Sequence, residues 1–348
     1  MTDQANPLGL DGFAFAEFTS PDPAAMAAQL EQLGFVPAAR VPERGLTLYR
    51  QGRIAFILNA GEGHAAAFRA LHGPSANGMG FNVADAAYAQ REAVARGATA
   101  ADTGDSALPG ARAIEGIGGS LLYLVDGDPF ADWEEVPGWR EAAARNSVGL
   151  DLLDHLTHNV RRGQMRVWSA FYARIFGFEE QKYFDIKGKA TGLFSQAMIA
   201  PDHAIRIPLN ESQDDKSQIE EFIRDYNGEG IQHLALTTDD IYDTVEKLRA
   251  RGVRLQDTIE TYYELVDKRV PGHGEDLERL RKNRILIDGN VGDEGILLQI
   301  FTENMFGPIF FEIIQRKGNE GFGNGNFQAL YESIELDQIR RGVITVDA

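Results

Sequence analysis

The chain carries an internal repeat. Asn82–Ala98 (NVADAAYAQREAVARGA) aligns without gaps on Thr237–Val253 (TTDDIYDTVEKLRARGV) at an offset of 155, and each copy ends in Ala-Arg-Gly, a helix stopped by glycine. Upstream, LDGFAFAEF and QLEQLGF fall on LDHLTHNV and RIFGF at a shared offset of 143. Two independent matches at one offset point to two similar halves. In this alignment Gly12 stands where His155 stands, and Gly78 stands where His233 stands, so the first copy lacks both imidazoles.

Hydrophobic patterning gives the second half a rhythm. A strand is predicted over Leu152–Val160, a helix over Met165–Phe176, and strands around Lys182–Phe194 and Ala204–Pro208. The second round has a strand at Gln232–Thr237, a helix at Ile241–Arg251, and strands near Arg284–Ile287, Ile296–Phe301 and Phe310–Gln315. This is βαβββ written twice. Side chains alternate along a strand, so His155, Thr157 and Asn159 share a side and His158 points away, as a core residue would. The charged stretch Asp126–Val148 is the expected boundary, dividing the chain into 1–147 and 148–348.

His155, His233 and Glu312 are the candidate metal ligands. Two neutral imidazoles and one carboxylate can occupy one face of an octahedral ion and leave the opposite positions open. Alone, His155 would read as a core histidine, but a carboxylate on the apolar strand GPIFFEIIQRKG is costly to bury without a cation. If the two modules pair about a pseudo-twofold axis, all three side chains reach one curved sheet.

Composition narrows the classes further. With 348 residues and 43% apolar content, two domains can each bury a core. The absence of cysteine rules out thiolate ligands, iron–sulfur clusters and disulfides. A formal charge of −18 argues against a nucleic-acid partner. No stretch suits a membrane span and the opening residues do not read as a signal peptide, which makes a cytoplasmic enzyme the expectation.

The second half resembles the 4-hydroxyphenylpyruvate dioxygenases of the vicinal oxygen chelate superfamily, through DHLTHNV, YFDIKGKATGLFSQAM, IRIPLNE, SQIEEF, NGEGIQHLAL, TYYELV, LLQIF, GPIFFEIIQRKG and GFGNGNFQALYESIE. The resemblance implies an α+β fold of two vicinal-oxygen-chelate-type domains, each of paired βαβββ modules forming an open barrel, plus a C-terminal helix. The N-terminal domain would lack the metal. The resemblance assigns iron(II) to His155, His233 and Glu312. It puts catalytic or substrate-lining polar groups at Ser195, Asn210, Gln218, Gln232, Gln299 and Asn326. Pro208, Phe310, Phe322 and Phe327 would surround the substrate ring. The implied partners are 4-hydroxyphenylpyruvate and O2, in a homo-oligomer (dimer or tetramer). The implied product is homogentisate, within tyrosine and phenylalanine catabolism.

Pro208, Asn210 and Phe310 are the dioxygenase versions of positions that the similar hydroxymandelate synthases replace. A metal-free binding protein on the same scaffold is the alternative of another class. Phe327, Leu330, Tyr331 and Ile334 share one helical face, which predicts a lid helix with an apolar underside. Truncation at Gly321 is then expected to spare iron binding while turnover collapses.

Overall fold

The computed structural model describes residues 6–187, 192–326 and 328–330. Phe327, and Tyr331 and Ile334 of the expected lid, lie outside them. The first half contributes β1 (Leu10–Thr19), β2 (Val36–Val41), β3 (Leu46–Gln51), β4 (Ile54–Asn59), β5 (Ser75–Val83), β6 (Arg112–Glu115), β7 (Leu121–Val125) and β8 (Glu134–Glu135). The second contributes β9 (Leu150–Val160), β10 (Glu179–Lys187), β11 (Gly192–Ile199), β12 (Arg206–Ser212), β13 (Gly230–Thr238), β14 (Leu286–Asn290), β15 (Gly295–Phe301) and β16 (Phe310–Lys317). The helices are α1 (Pro23–Gln32), α2 (His64–His72), α3 (Ala86–Ala95), α4 (Trp139–Asn146), α5 (Met165–Phe176), α6 (Gln218–Asp225), α7 (Ile241–Ala250), α8 (Glu260–Glu264), α9 (Val266–Arg269) and α10 (Leu277–Asn283).

The repeat extends to the helix caps. Asp85 accepts from the backbone of Tyr88 and starts α3, and Asp240, 155 residues later, accepts from Asp243 and starts α7. Each half forms one eight-stranded sheet, in the orders β6-β7-β5-β1-β4-β3-β2-β8 and β10-β11-β12-β9-β13-β16-β15-β14. In the second, antiparallel β9 and β13 lie at the centre, flanked by the parallel partners β12 and β16, so two βαβββ modules meet about a pseudo-twofold axis. The first half is less complete. Only β6 and β7 follow α3, and β8 pairs instead with β2. The stretch expected as a boundary therefore holds β8 and α4.

Strand register corrects one part of the sequence alignment. In the second sheet His233 faces Thr157 and Ala235 faces His155; in the first, Gly78 faces Glu17 and Gly80 faces Phe15. With Gly78 matching His233, the counterpart of His155 is Phe15 and not Gly12. The offset is a constant 140 along β1 and β9, whose irregularities on either side of Phe13 and Leu153 match, and it reaches 143 only at Gly34 and Gly177, after α5 has run two residues longer than α1. Tyr123 occupies the place of Glu312, because it pairs with Gly80 as Glu312 pairs with Ala235. The fully buried Glu17 carboxylate accepts hydrogen bonds from Asn59, Asn77 and Tyr123. An aromatic ring and the Glu17 hydrogen-bond network thus fill the location that carries the metal-type residues in the second half.

The two halves share one core. Phe311, next to Glu312 on β16, packs among Phe18, Phe56 and Phe306, at ring-centroid distances of 6.4, 6.1 and 5.3 Å. β10 and β14 are the free edges of the second sheet, and the segment after β16 lies across the opening between them. Gln181 of β10 donates to the carbonyl of Glu320, and Asp288 of β14 accepts from the amide of Gly325. Helical turns follow at residues 324–326 and 328–330.

Candidate metal centre

Antiparallel pairing of β9 with β13 and parallel pairing of β13 with β16 bring His155, His233 and Glu312 together, with one ligand-type atom from each within 4.8 Å of the others. His155 Nε2 lies 3.2 Å and His233 Nε2 3.5 Å from Glu312 Oε2. Donors on adjacent corners of an octahedron with bonds of about 2.1 Å stand about 3 Å apart, so the spacing suits one shared cation.

The far side of each imidazole is held. His155 Nδ1 donates to Asp154 at 2.8 Å, and His233 Nδ1 to Gln232 Oε1 at 2.8 Å. Protons on Nδ1 leave Nε2 as the lone-pair nitrogen, the tautomer a metal needs. The Thr157 hydroxyl donates to His233 Nε2 at 2.9 Å. Gln299 Nε2 donates to the other carboxylate oxygen of Glu312 at 3.0 Å, and Asn326 donates to Gln299 Oε1 at 2.9 Å. Donor set, tautomers and spacing all fit a hard or borderline divalent ion.

Electrostatics differ among the three. Burial pushes the Glu312 carboxyl up, but the two histidines outweigh it and bring its pKa down to about 2. Burial likewise opposes charge on both imidazoles. His155 nevertheless rises above its ordinary value because Asp154 and Glu312 both face it, whereas His233, with a neutral amide behind it, falls.

The triad lines a cavity of about 390 Å³, and Ser195, Pro208, Asn210, Gln218, Gln232, Gln299, Phe310, Phe322 and Asn326 line the same cavity. Of the site residues expected from sequence, only Phe327 lies outside the described residues. Ser195 and Asn210 face each other across β11 and β12. Gln218 enters from the first turn of α6, whose cap is Ser217. An irregularity in the pairing of β13 at Gln232 lets consecutive Gln232 and His233 both line the cavity. Phe310 stacks on His233 at 4.8 Å, and Phe322 stands edge-on to His155 at 5.2 Å.

The polar residues fall into two groups. Gln232 commits its amide oxygen to His233, Gln299 its amide nitrogen to Glu312 and its oxygen to Asn326, and Asn326 accepts from the Tyr262 hydroxyl. Ser195, Asn210 and Gln218 have no side-chain hydrogen-bond partner among the described residues and remain available to a bound molecule. Sequence reasoning missed Asp154, Thr157 and Arg316. The Asp-His dipeptide was a usable signal for the first, since a ligand histidine needs an acceptor behind it. Arg316 pairs with Asp154 over 162 positions and left no local signal. Of the other histidines, His158 is fully buried and bonds the Tyr172 hydroxyl, in keeping with a core role.

A family model for the Glyoxalase/Bleomycin resistance protein/Dioxygenase superfamily matches residues 152–265, which fixes the class: the chain is an α+β protein of that superfamily. A second model, described as the N-terminal part of hydroxyphenylpyruvate dioxygenase, matches residues 4–135. The chain is 58% identical to a 4-hydroxyphenylpyruvate dioxygenase of Pseudomonas aeruginosa, covering 98% of each. It is 52% identical to one from Legionella pneumophila, covering 97% of this chain and 98% of the relative. It is also 55% identical to a Vibrio vulnificus protein named hemolysin VllY, covering 99% of each. Among solved structures, a triple mutant of 4-hydroxymandelate synthase from Streptomyces coelicolor superposes with a TM-score of 0.80 at 28% identity, covering 95% of this chain and 99% of that one. The chain belongs to the 4-hydroxyphenylpyruvate dioxygenase family of enzymes, which are in general dependent on non-haem iron.

Proposed function

We propose that the chain is an iron(II)-dependent dioxygenase that converts 4-hydroxyphenylpyruvate and O2 to homogentisate and CO2, a step of tyrosine and phenylalanine catabolism. One observation carries the reading: a single cavity holds a two-histidine, one-carboxylate face and, apart from it, polar side chains that no described protein group uses. In this reading His155, His233 and Glu312 hold iron(II). Iron(II) held there would supply open coordination positions and redox chemistry toward dioxygen, with the reducing electrons drawn overall from the 2-oxo acid.

The chain's own residues bind, orient and exclude water. Phe310 and Phe322 flank the two imidazoles and form apolar walls for an aromatic ring. Ser195, Asn210 and Gln218 offer neutral hydrogen-bonding groups to the substrate oxygens without placing a charge beside an oxidant. Pro208 and Asn326 complete the lining. Gln232 and Gln299 keep their ligands oriented, and Gln232 presents its amide nitrogen to the cavity, while both amide atoms of Gln299 are engaged by Glu312 and Asn326. The proposed division at 147/148 separates a structural domain from the catalytic one. A cytoplasmic homo-oligomer completes the proposal on the strength of the family relation alone.

Similarity to the 4-hydroxymandelate synthase fold supports a second reading on the same substrate. Pro208, Asn210 and Phe310, all lining the cavity, favour the dioxygenase. Chelation should abolish turnover and iron(II) should restore it. His155→Ala, His233→Ala and Glu312→Ala should each remain inactive after reconstitution; any one of them turning over normally would refute its ligand role.

A further inference from the structure

The carboxylate behind His155 is itself gripped from the other side. Arg316, on the same strand as Glu312, donates Nε to Asp154 Oδ1 at 2.9 Å and Nη2 to Asp154 Oδ2 at 2.8 Å, a planar fork on a planar carboxylate. Its remaining nitrogen, Nη1, turns to the segment that crosses the sheet opening and donates to the carbonyls of Asn319 at 3.0 Å and Gly321 at 2.7 Å. Arg316 therefore holds both the acceptor behind His155 and the path of the closing segment, and Arg206 joins the same two places more loosely, reaching Asp154 Oδ1 at 3.5 Å and pairing with the Glu320 carboxylate.

The same segment reaches the site twice more. Phe322 stands edge-on to His155, and Asn326 holds the Gln299 amide that bonds Glu312. Residues 319–326 are thus suspended between two of the three metal-type residues. A surface ion pair would connect nothing of this kind, and Arg316 and Asp154 are both largely buried, with side chains 13% and 3% exposed.

We propose that Arg316 is a positioning residue that couples seating of residues 319–326 to the orientation of His155, so that the donor face reaches full metal affinity only with the segment in place. The proposal rests on the metal role of the triad. Coupling of this kind is reciprocal: if the seated segment favours metal, metal must favour the seated segment. Lysine is no substitute, because a single ammonium cannot span a carboxylate and two carbonyls in the geometry of the fork.

The test is amide hydrogen exchange on the full-length protein, metal-free and with cobalt(II), alongside cobalt titration, for wild type, Arg316→Met and Arg316→Lys. Wild type should show exchange across 319–326 slowed by cobalt. Arg316→Met should lose that metal-dependent protection and bind cobalt about 10- to 100-fold more weakly, the usual range for losing a partner behind a ligand. Arg316→Lys, which keeps a charge beside Asp154 but not the fork, should fall short of wild type in both quantities together, and wild-type affinity without protection would overturn the proposal. A folded Arg316→Met protein with wild-type affinity and protection would overturn the proposal. Should that variant fail to fold, Asp154→Asn reads the same two quantities with Arg316 present, and retention of both would overturn it equally. Cobalt bound by wild type without effect on 319–326 defeats the coupling alone; no cobalt bound defeats the metal reading and the proposal with it.

Discussion

His155 and His233 face the same carboxylate, yet their ionisation moves in opposite directions: burial opposes charge on both, Asp154 helps to offset it at His155, and the neighbouring His155 adds to it at His233. Asp154 and Glu312 together hold a proton on His155 against the effect of burial; a neutral amide behind His233 does not. A proton competes with a metal for the imidazole, so metal affinity should climb with pH through and above the ordinary histidine value of 6.5. Cobalt affinity followed from about pH 6 to about 8 should therefore rise, and rise less steeply in Asp154→Asn; a flat wild-type profile would contradict this account.

The same shifts act on the metal-free fold. Glu312, lowered from 4.5 to about 2, contributes stability that is present above 4.5 and lost as pH falls towards 2. His155, being raised, contributes stability that is present below 6.5 and lost as pH rises through its folded value.

The closing segment depends on glycine at one decisive position. Gly323 has φ +71°, and a Cβ built there would lie 1.4 Å from Gln299 Oε1, the amide that steadies Glu312. Gly323→Ala should displace Gln299 and reduce kcat by at least tenfold while the melting temperature changes little, since the fault is confined to the cavity rim; unimpaired kcat would show that the contact does not matter.

Legibility at this scale followed periodicity. The strand and helix after the boundary were readable because alternation and the 3.6-residue period are strong there, and α5 falls at Met165–Phe176 as expected. The stretch expected around Lys182–Phe194 became a hairpin of β10 and β11. α6 and the α8–α10 insertion went unread; α6 gives Gln218 and Ile219 to the cavity, and the residues that flank the insertion, Gln256, Asp257, Thr258 and Arg284, line it as well. The repeat led to Gly12 because the offset of 143 that holds after α1 and α5 was carried back onto β1 and β9, where the strand pairing gives 140 and Phe15.

At the scale of the molecule, the first half packs against the second without a matching triad among its described residues. Its copy of the site is occupied by Phe15 and the Glu17 network, and its core receives Phe311, the immediate neighbour of Glu312. Phe311→Ala should cost about 3–5 kcal/mol of stability, as for other buried aromatic truncations, and weaken metal binding through Glu312. Denaturant unfolding with cobalt titration checks both; a destabilised variant with undiminished affinity would mean that the interface does not position the ligand.

The grouping of His155, His233 and Glu312 was expected from the family resemblance, and the pseudo-twofold sheet explains why residues 78 and 79 positions apart can meet. The network behind the triad was not, because ion pairs between distant strands leave no trace in local sequence. The most direct test of the whole account is anaerobic loading with iron(II) and 4-hydroxyphenylpyruvate, followed by admission of oxygen and identification of the aromatic product. Homogentisate, with one O2 consumed per CO2 released, is the predicted result; hydroxymandelate would assign the chain to the sister activity, and no oxygen uptake would contradict the functional reading of the triad.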